Sequence, residues 1–224
     1  MRVTKGLHER NHFARRHFIF LHAAALSNVV TLPGILSPAA LAAETITDRD
    51  FDVMVPDGFV RLPRTGRATS NFLLVTGNFA TGSTFTVELL GEFDMAKLMP
   101  ATGSPFDTTT SEALATSLMR RRDKSSGLDA ESALRATGMT VERQRLQFEF
   151  DTPLVLPQST DPALTRRTLA SVLLLPPSGE SQNPRALVLW AGATLDQWLG
   201  PDQVGQKLMD AASTFRLVLV PADI

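Results

Sequence analysis

The stretch RALVLWAGATLDQWLGPDQVGQKLMDAASTF, residues 185–215, holds a strand, a corner and a helix in that order. Residues 186–193 form a continuous apolar run around Trp190. A half-solvated strand would alternate polar and apolar side chains, so this run predicts a strand covered on both faces. A short connection follows, with Trp198 and Gly200-Pro201 in it. Asp202 stands where a helix N-cap is expected, because its carboxylate can accept from an otherwise unpaired backbone N–H. Val204, Leu208, Ala211, Ala212 and Phe215 then recur at three- and four-residue steps. That spacing gives one apolar helix face, which must lie on a sheet.

Working back toward the N-terminus, Phe51, Val53 and Val55 alternate with Asp52 and Met54, a strand pattern closed by the turn Pro56-Asp57-Gly58. Residues 72–79 and 84–90 read as a hairpin whose connection contains Gly82. Residues 91–110 are turn-rich and predict little regular structure. A helix is expected over 111–122, with Leu114, Leu118 and Met119 on its buried side and cations at its C-terminal end. A short helix is expected over 130–137, and strands over 141–150 and 165–175. The sum is about six or seven strands and two main helices. Sequential hairpins with few helical crossovers argue for an α+β fold around a largely antiparallel sheet.

The first 42 residues have a different character. Arg15-Arg16 follow a polar, basic segment, an interrupted apolar stretch comes next, and Ala40-Leu41-Ala42 offers a small-x-small cleavage site. With Phe18 two residues on, Arg15 and Arg16 resemble a twin-arginine export signal. We therefore expect a cleavable leader over 1–42 and a single domain over 43–224.

The leader holds five basic residues and one acidic residue, so the remainder has 22 − 5 = 17 basic and 23 − 1 = 22 acidic, a net charge of −5. A mildly acidic domain is a poor match to nucleic acid, whose phosphates need a basic face. All four histidines (His8, His12, His17, His22) lie in the leader, and the chain has no Cys or Tyr. Ser–His pairs are thereby excluded from 43–224. A Ser–Lys dyad would have to use Lys97, Lys124 or Lys207, and none sits in a Ser-x-x-Lys context. No glycine-rich phosphate loop is present. These residues assign no catalytic or cofactor-binding position.

Two motifs carry a family resemblance. A buried strand, Trp198, and an amphipathic helix ending in Ser213-x-Phe215 resemble the C-terminal signature of the PsbP family. Phe51, Val53, Val55, Pro56, Gly58 and Phe59 resemble that family's opening strand and Pro-x-Gly-aromatic turn. From Phe51 to Phe215 is 165 residues, the length of one such domain. The resemblance implies an α/β/α sandwich with helices on both faces of a central, largely antiparallel sheet. It also implies a non-enzymatic protein of the chloroplast thylakoid lumen, a monomer and membrane-peripheral at most. Its partner would be photosystem II or an assembly intermediate, and its role assembly, stability or support of oxygen evolution. The PsbP subunit proper carries an extension before its first strand, whereas eight residues separate the expected cleavage point from Phe51. An auxiliary PsbP-domain factor is the closer match. The competing class is a small-molecule or lipid carrier, or an unrecognised hydrolase, in an exported compartment.

Two charge patterns remain. Asp48, Asp50 and Asp52 alternate and share a face in an extended chain, an oxygen set that Ca²⁺ or Mn²⁺ could use, although a solvated strand end has the same pattern. Metal-binding members of the broader family use His ligands, which 43–224 lacks. Arg120, Arg121 and Arg122, with Lys124, form a dense cationic run. It reads either as a solvated helix end or as a docking patch for an acidic partner.

Overall fold

The computed structural model describes residues 43–63, 71–99, 108–126, 131–135, 139–142, 145–154, 164–175 and 184–218. The leader, with Arg15, Arg16, Ala40 and Ala42, lies outside them. In chain order the elements are β1 (Glu44–Thr47), β2 (Phe51–Val55), β3 (Val60–Arg61), β4 (Phe72–Asn78), β5 (Ser83–Leu90), α1 (Glu92–Leu98), α2 (Thr108–Ser126), β6 (Ala133–Leu134), β7 (Thr140–Glu142), β8 (Arg145–Leu154), β9 (Leu164–Leu175), β10 (Arg185–Thr194), α3 (Leu195–Leu199), α4 (Val204–Ser213) and β11 (Arg216–Leu217).

The apolar run of β10 makes it the central strand. It pairs antiparallel with β5, Ala186 opposite Leu90 through Gly192 opposite Thr84, and with β9 along its whole length. The main sheet runs β3-β4-β5-β10-β9-β8-β6, with β7 beside β6 on the outer edge of β8. Every described pairing is antiparallel, as the hairpin-rich sequence predicts. Alternation along β10 sends Leu187, Leu189, Ala191 and Ala193 into one core and Ala186, Val188 and Trp190 into another. On the first face, Leu208, Ala211 and Ala212 of α4 meet Trp198, Phe215 and the inward side chains of β2. On the second, Met95 of α1 and Leu114, Ala115, Leu118 and Met119 of α2 meet Phe148, Phe150 and Trp190. Each large apolar side chain buried this way contributes about 1.5–3 kcal/mol. Helices cover both faces of an antiparallel sheet, the expected sandwich. The first face also carries a small sheet, β1-β2-β11, that sequence reading did not separate from the main one.

Four local expectations are corrected. The helix expected over 130–137 is replaced, in its described part, by β6, whose Ala133 and Leu134 pair with Asp151 and Phe150 of β8. Residues 91–110 contain α1, with Glu92 and Asp94 in its first turn, Lys97 in its last and Met95 as its buried residue. The strand expected over 141–150 is a hairpin of β7 and β8, with Glu142 opposite Arg145. Asp202 is not the cap of α4. The N-cap is Gln203, in a left-handed conformation at φ 53° and without a side-chain cap hydrogen bond.

Candidate functional site

The two resemblance motifs meet in space. The Phe51 ring lies edge-on to Phe215 with centroids 5.8 Å apart, and both side chains are fully buried. Arg145 donates to the Phe215 carbonyl, which fixes the end of α4 on β8. Trp198 is buried on α3, against α4. A Cβ on Gly205 would lie 2.6 Å from the Trp198 carbonyl oxygen and 2.8 Å from its ring atoms Cδ1 and Nε1, so only glycine permits this approach. Pro56 is buried, and Gly58 turns the chain at φ 78° beneath the Asn78 side chain. Ser213 is exposed, its hydroxyl donating to the Asp210 carbonyl at 2.6 Å. The neighbouring Thr214 makes the tertiary link: its hydroxyl donates to the Ala211 carbonyl at 2.7 Å and accepts from the Met54 N–H at 2.8 Å. Sequence reading chose Ser213 and missed Thr214. This corner is structural.

The Arg120-Arg121-Arg122 run is not one solvated face. Arg120 is exposed, as is Lys124. Arg121 Nη1 contacts Glu88 Oε1 at 2.7 Å, and the Glu88 side chain is 8% exposed on β5. Glu88 Oε2 in turn accepts from Trp190 Nε1 at 3.2 Å. The Arg122 guanidinium stands 4.7 Å from the Trp190 ring centroid, a cation–π contact. Burial lowers the Arg122 pKa to about 10. The charge of Arg166 pushes the same way, while Glu88 and Asp123 oppose it. Arg166, lowered to about 10 by burial, donates to the Gly82 and Gly192 carbonyls and to Thr84 Oγ1. The C-terminal half of α2 is thus held on the second face by an internal ionic system. Two side chains of the expected patch point into the molecule and one points out.

A second cluster closes the other edge of the sheet. Arg167 makes two bonds to the Asp151 carboxylate, at 2.8 and 2.9 Å. Arg135 adds a contact to Asp151 at 3.3 Å and one to Glu149 at 3.4 Å. The hydrogen bonds from Arg167, more than any other influence, hold Asp151 below the ordinary aspartate range. Ser132 joins Asp123 of α2 to Thr152 of β8. Sequence reading does not single out Asp151, Arg135 or Ser132.

Of the alternating aspartates, Asp52 is paired with Arg216 at 3.3 Å and Asp48 accepts from the Arg49 N–H at 2.7 Å. Among the described residues no group of three or more His, Asp or Glu side chains is placed to hold a metal ion. Among the described residues, two open surface depressions are lined by Thr45, Asp52, Met54, Thr214 and Arg216 and by Asp48, Arg61 and Pro63. Neither is the enclosed apolar cavity that a carrier would need. No described helix is long and apolar enough to cross a membrane.

No protein-family model matches the chain, and no curated protein does. Among solved structures, the fold is similar to the solution structure of cyanobacterial PsbP (CyanoP) from Synechocystis sp. PCC 6803. The TM-score is 0.52 at 16% sequence identity, over 83% of this chain and 99% of that chain. The fold is PsbP-like, as the two motifs imply.

Proposed function

We propose that the chain is a non-enzymatic auxiliary protein of photosystem II, acting in the chloroplast thylakoid lumen in assembly, stability or support of oxygen evolution. The observation that carries this reading is the PsbP-like fold, which spans nearly the whole length of the cyanobacterial PsbP chain. The composition supports it. A domain without His, Cys or Tyr has few routes to catalysis, and its net charge of −5 disfavours nucleic acid. The leader supplies delivery: Arg15 and Arg16 would direct twin-arginine export, with cleavage after Ala42. Contact with the photosystem would be peripheral and partly charge-steered. Arg120 and Lys124 are the exposed cations of α2 available for it.

Binding of the purified 43–224 domain to photosystem II particles across a salt series tests the reading. Saturable binding that weakens as salt rises is expected, since rim charges are screened. Absence of binding at every salt concentration refutes the assignment to photosystem II. The pair Arg120→Glu with Lys124→Glu should weaken binding at low salt and leave the thermal melt unchanged. In import assays with isolated thylakoids, Arg15→Lys with Arg16→Lys should stop delivery, and undiminished import would refute the export route.

A further inference from the structure

On the second face of the sheet, Thr86 sits opposite Trp190 and Thr84 sits opposite Gly192, consecutive same-face pairs across β5 and β10. Such pairs lie about 7 Å apart along the strands. Arg166 reaches over Gly192 from β9: a Cβ there would be 3.1 Å from its Nε. The absence of that side chain is what lets the guanidinium lie on the sheet. The Arg166 hydrogen bonds go to neutral oxygens only: Gly82 O at 3.3 Å, Thr84 Oγ1 at 2.6 Å and Gly192 O at 2.7 Å. No described carboxylate lies within ion-pair distance of it. Three of its five N–H groups are used, leaving Nε–H and one on Nη1. The second guanidinium, Arg122, stands on the ring of Trp190, the residue opposite Thr86. Thr86 itself is 9% exposed, and its hydroxyl has no hydrogen-bond partner.

A buried hydroxyl without a partner is costly, and so is a half-buried cation without an anion. Both needs are met by one ligand. We propose that Thr86, Arg166 and Arg122 form a binding site for a small free oxyanion with at least two acceptor oxygens, of the sulfate or carboxylate kind. One oxygen accepts from the Thr86 hydroxyl. Another accepts one of the two remaining N–H groups of Arg166, and Arg122 contributes charge from the side of Trp190. At 9% exposure Thr86 admits a compact ion rather than a side chain presented by a docking protein. This site does not depend on the photosystem reading.

The test titrates the isotope-labelled 43–224 domain with sodium sulfate and, separately, sodium acetate. A sodium chloride series of matched ionic strength serves as the blank, and the Arg Nε–H and Thr86 amide resonances are followed by NMR. Saturable shifts at Arg166, Arg122 and Thr86 with one of the oxyanions, absent in the blank, are expected. Thr86→Val keeps the shape and removes the hydroxyl. It should melt no lower than wild type in chloride and should weaken oxyanion affinity at least fivefold. Arg166→Gln should abolish the saturable response, and Thr86→Val keeps the question decidable if that variant does not fold. Equal shifts in chloride, no saturable shift with either oxyanion, or wild-type affinity in Thr86→Val would each overturn the site.

Discussion

Gly205→Ala sets two known effects against each other, and the geometry decides the sign. Replacing glycine by alanine in a helix normally stabilises by about 1 kcal/mol, through propensity and a less flexible unfolded chain. At Gly205 the added methyl would meet the Trp198 carbonyl oxygen at 2.6 Å and the ring atoms Cδ1 and Nε1 at 2.8 Å. A ring can rotate a little, but the carbonyl belongs to the backbone of α3 and cannot leave without moving that helix. Overpacking of this kind costs about 1–3 kcal/mol, and three simultaneous contacts place it toward the upper end. Gly205 is also the second residue of α4, where the propensity gain is smaller than in mid-helix. The net expectation is a loss of about 1–2 kcal/mol. With a urea m-value of about 2 kcal/mol/M, the midpoint followed by far-UV circular dichroism should fall by about 0.5–1 M. In a Trp198→Ala background the same change should cost less, because two of the three close contacts are with the ring. An unchanged or raised midpoint for Gly205→Ala in the wild-type background would show that α3 and α4 do not pack as closely as described.

Trp198→Ala should itself cost about 3–5 kcal/mol, a large share of the roughly 5–15 kcal/mol available to a domain. A loss below about 1 kcal/mol in denaturant melts would place the side chain at the surface. Arg121→Ala removes the ion-pair partner of the buried Glu88 carboxylate and should cost about 1–3 kcal/mol, whereas Arg120→Ala should stay within about 0.5 kcal/mol. Equal thermal melts for these two variants would contradict the divergence of the run. Asp151→Asn should cost about 2 kcal/mol at neutral pH by weakening the bonds from Arg167. The pKa of Asp151 is lowered in the folded state. Its contribution is therefore present above the ordinary aspartate value and is lost as pH falls through the folded value. The gap between wild type and Asp151→Asn, measured by urea melts, should close as pH drops below about 4, and a constant gap would refute the assignment.

The sequence was most legible where burial is two-sided or strongly periodic. The apolar run of β10 and the face of α4 could be read directly, because no polar side chain can sit there without a partner. Short elements were less visible. With seven residues and Met95 as its buried anchor, α1 shows almost no periodicity. The segment around Ala133 is rich in helix formers, but an edge pairing with β8 overrides that preference. The arginine run misled for a geometric reason. Consecutive helical residues are separated by about 100° around the axis, so three in a row cannot share one surface. A signal for their partner was present in Glu88, a carboxylate inside the otherwise buried strand β5. It pointed to a buried cation, though not to which one. Gly192 within the apolar run likewise marked a close approach, and the visitor, Arg166, comes from the adjacent strand. The leader and its four targeting residues lie outside the described residues.

The sheet separates two cores, and each side holds one of the chain's two tryptophans, Trp198 with α4 and Trp190 with α2. There is no tyrosine to add background emission. The molecule therefore carries a built-in optical label for each half. In Trp190→Phe the fluorescence belongs to the α4 side alone, and in Trp198→Phe to the α2 side alone. Coincident unfolding curves for the two single-indole proteins would show that β10, whose side chains enter both cores, locks the halves into one cooperative unit. Separated curves would reveal which half opens first, and so which face a binding partner could remodel.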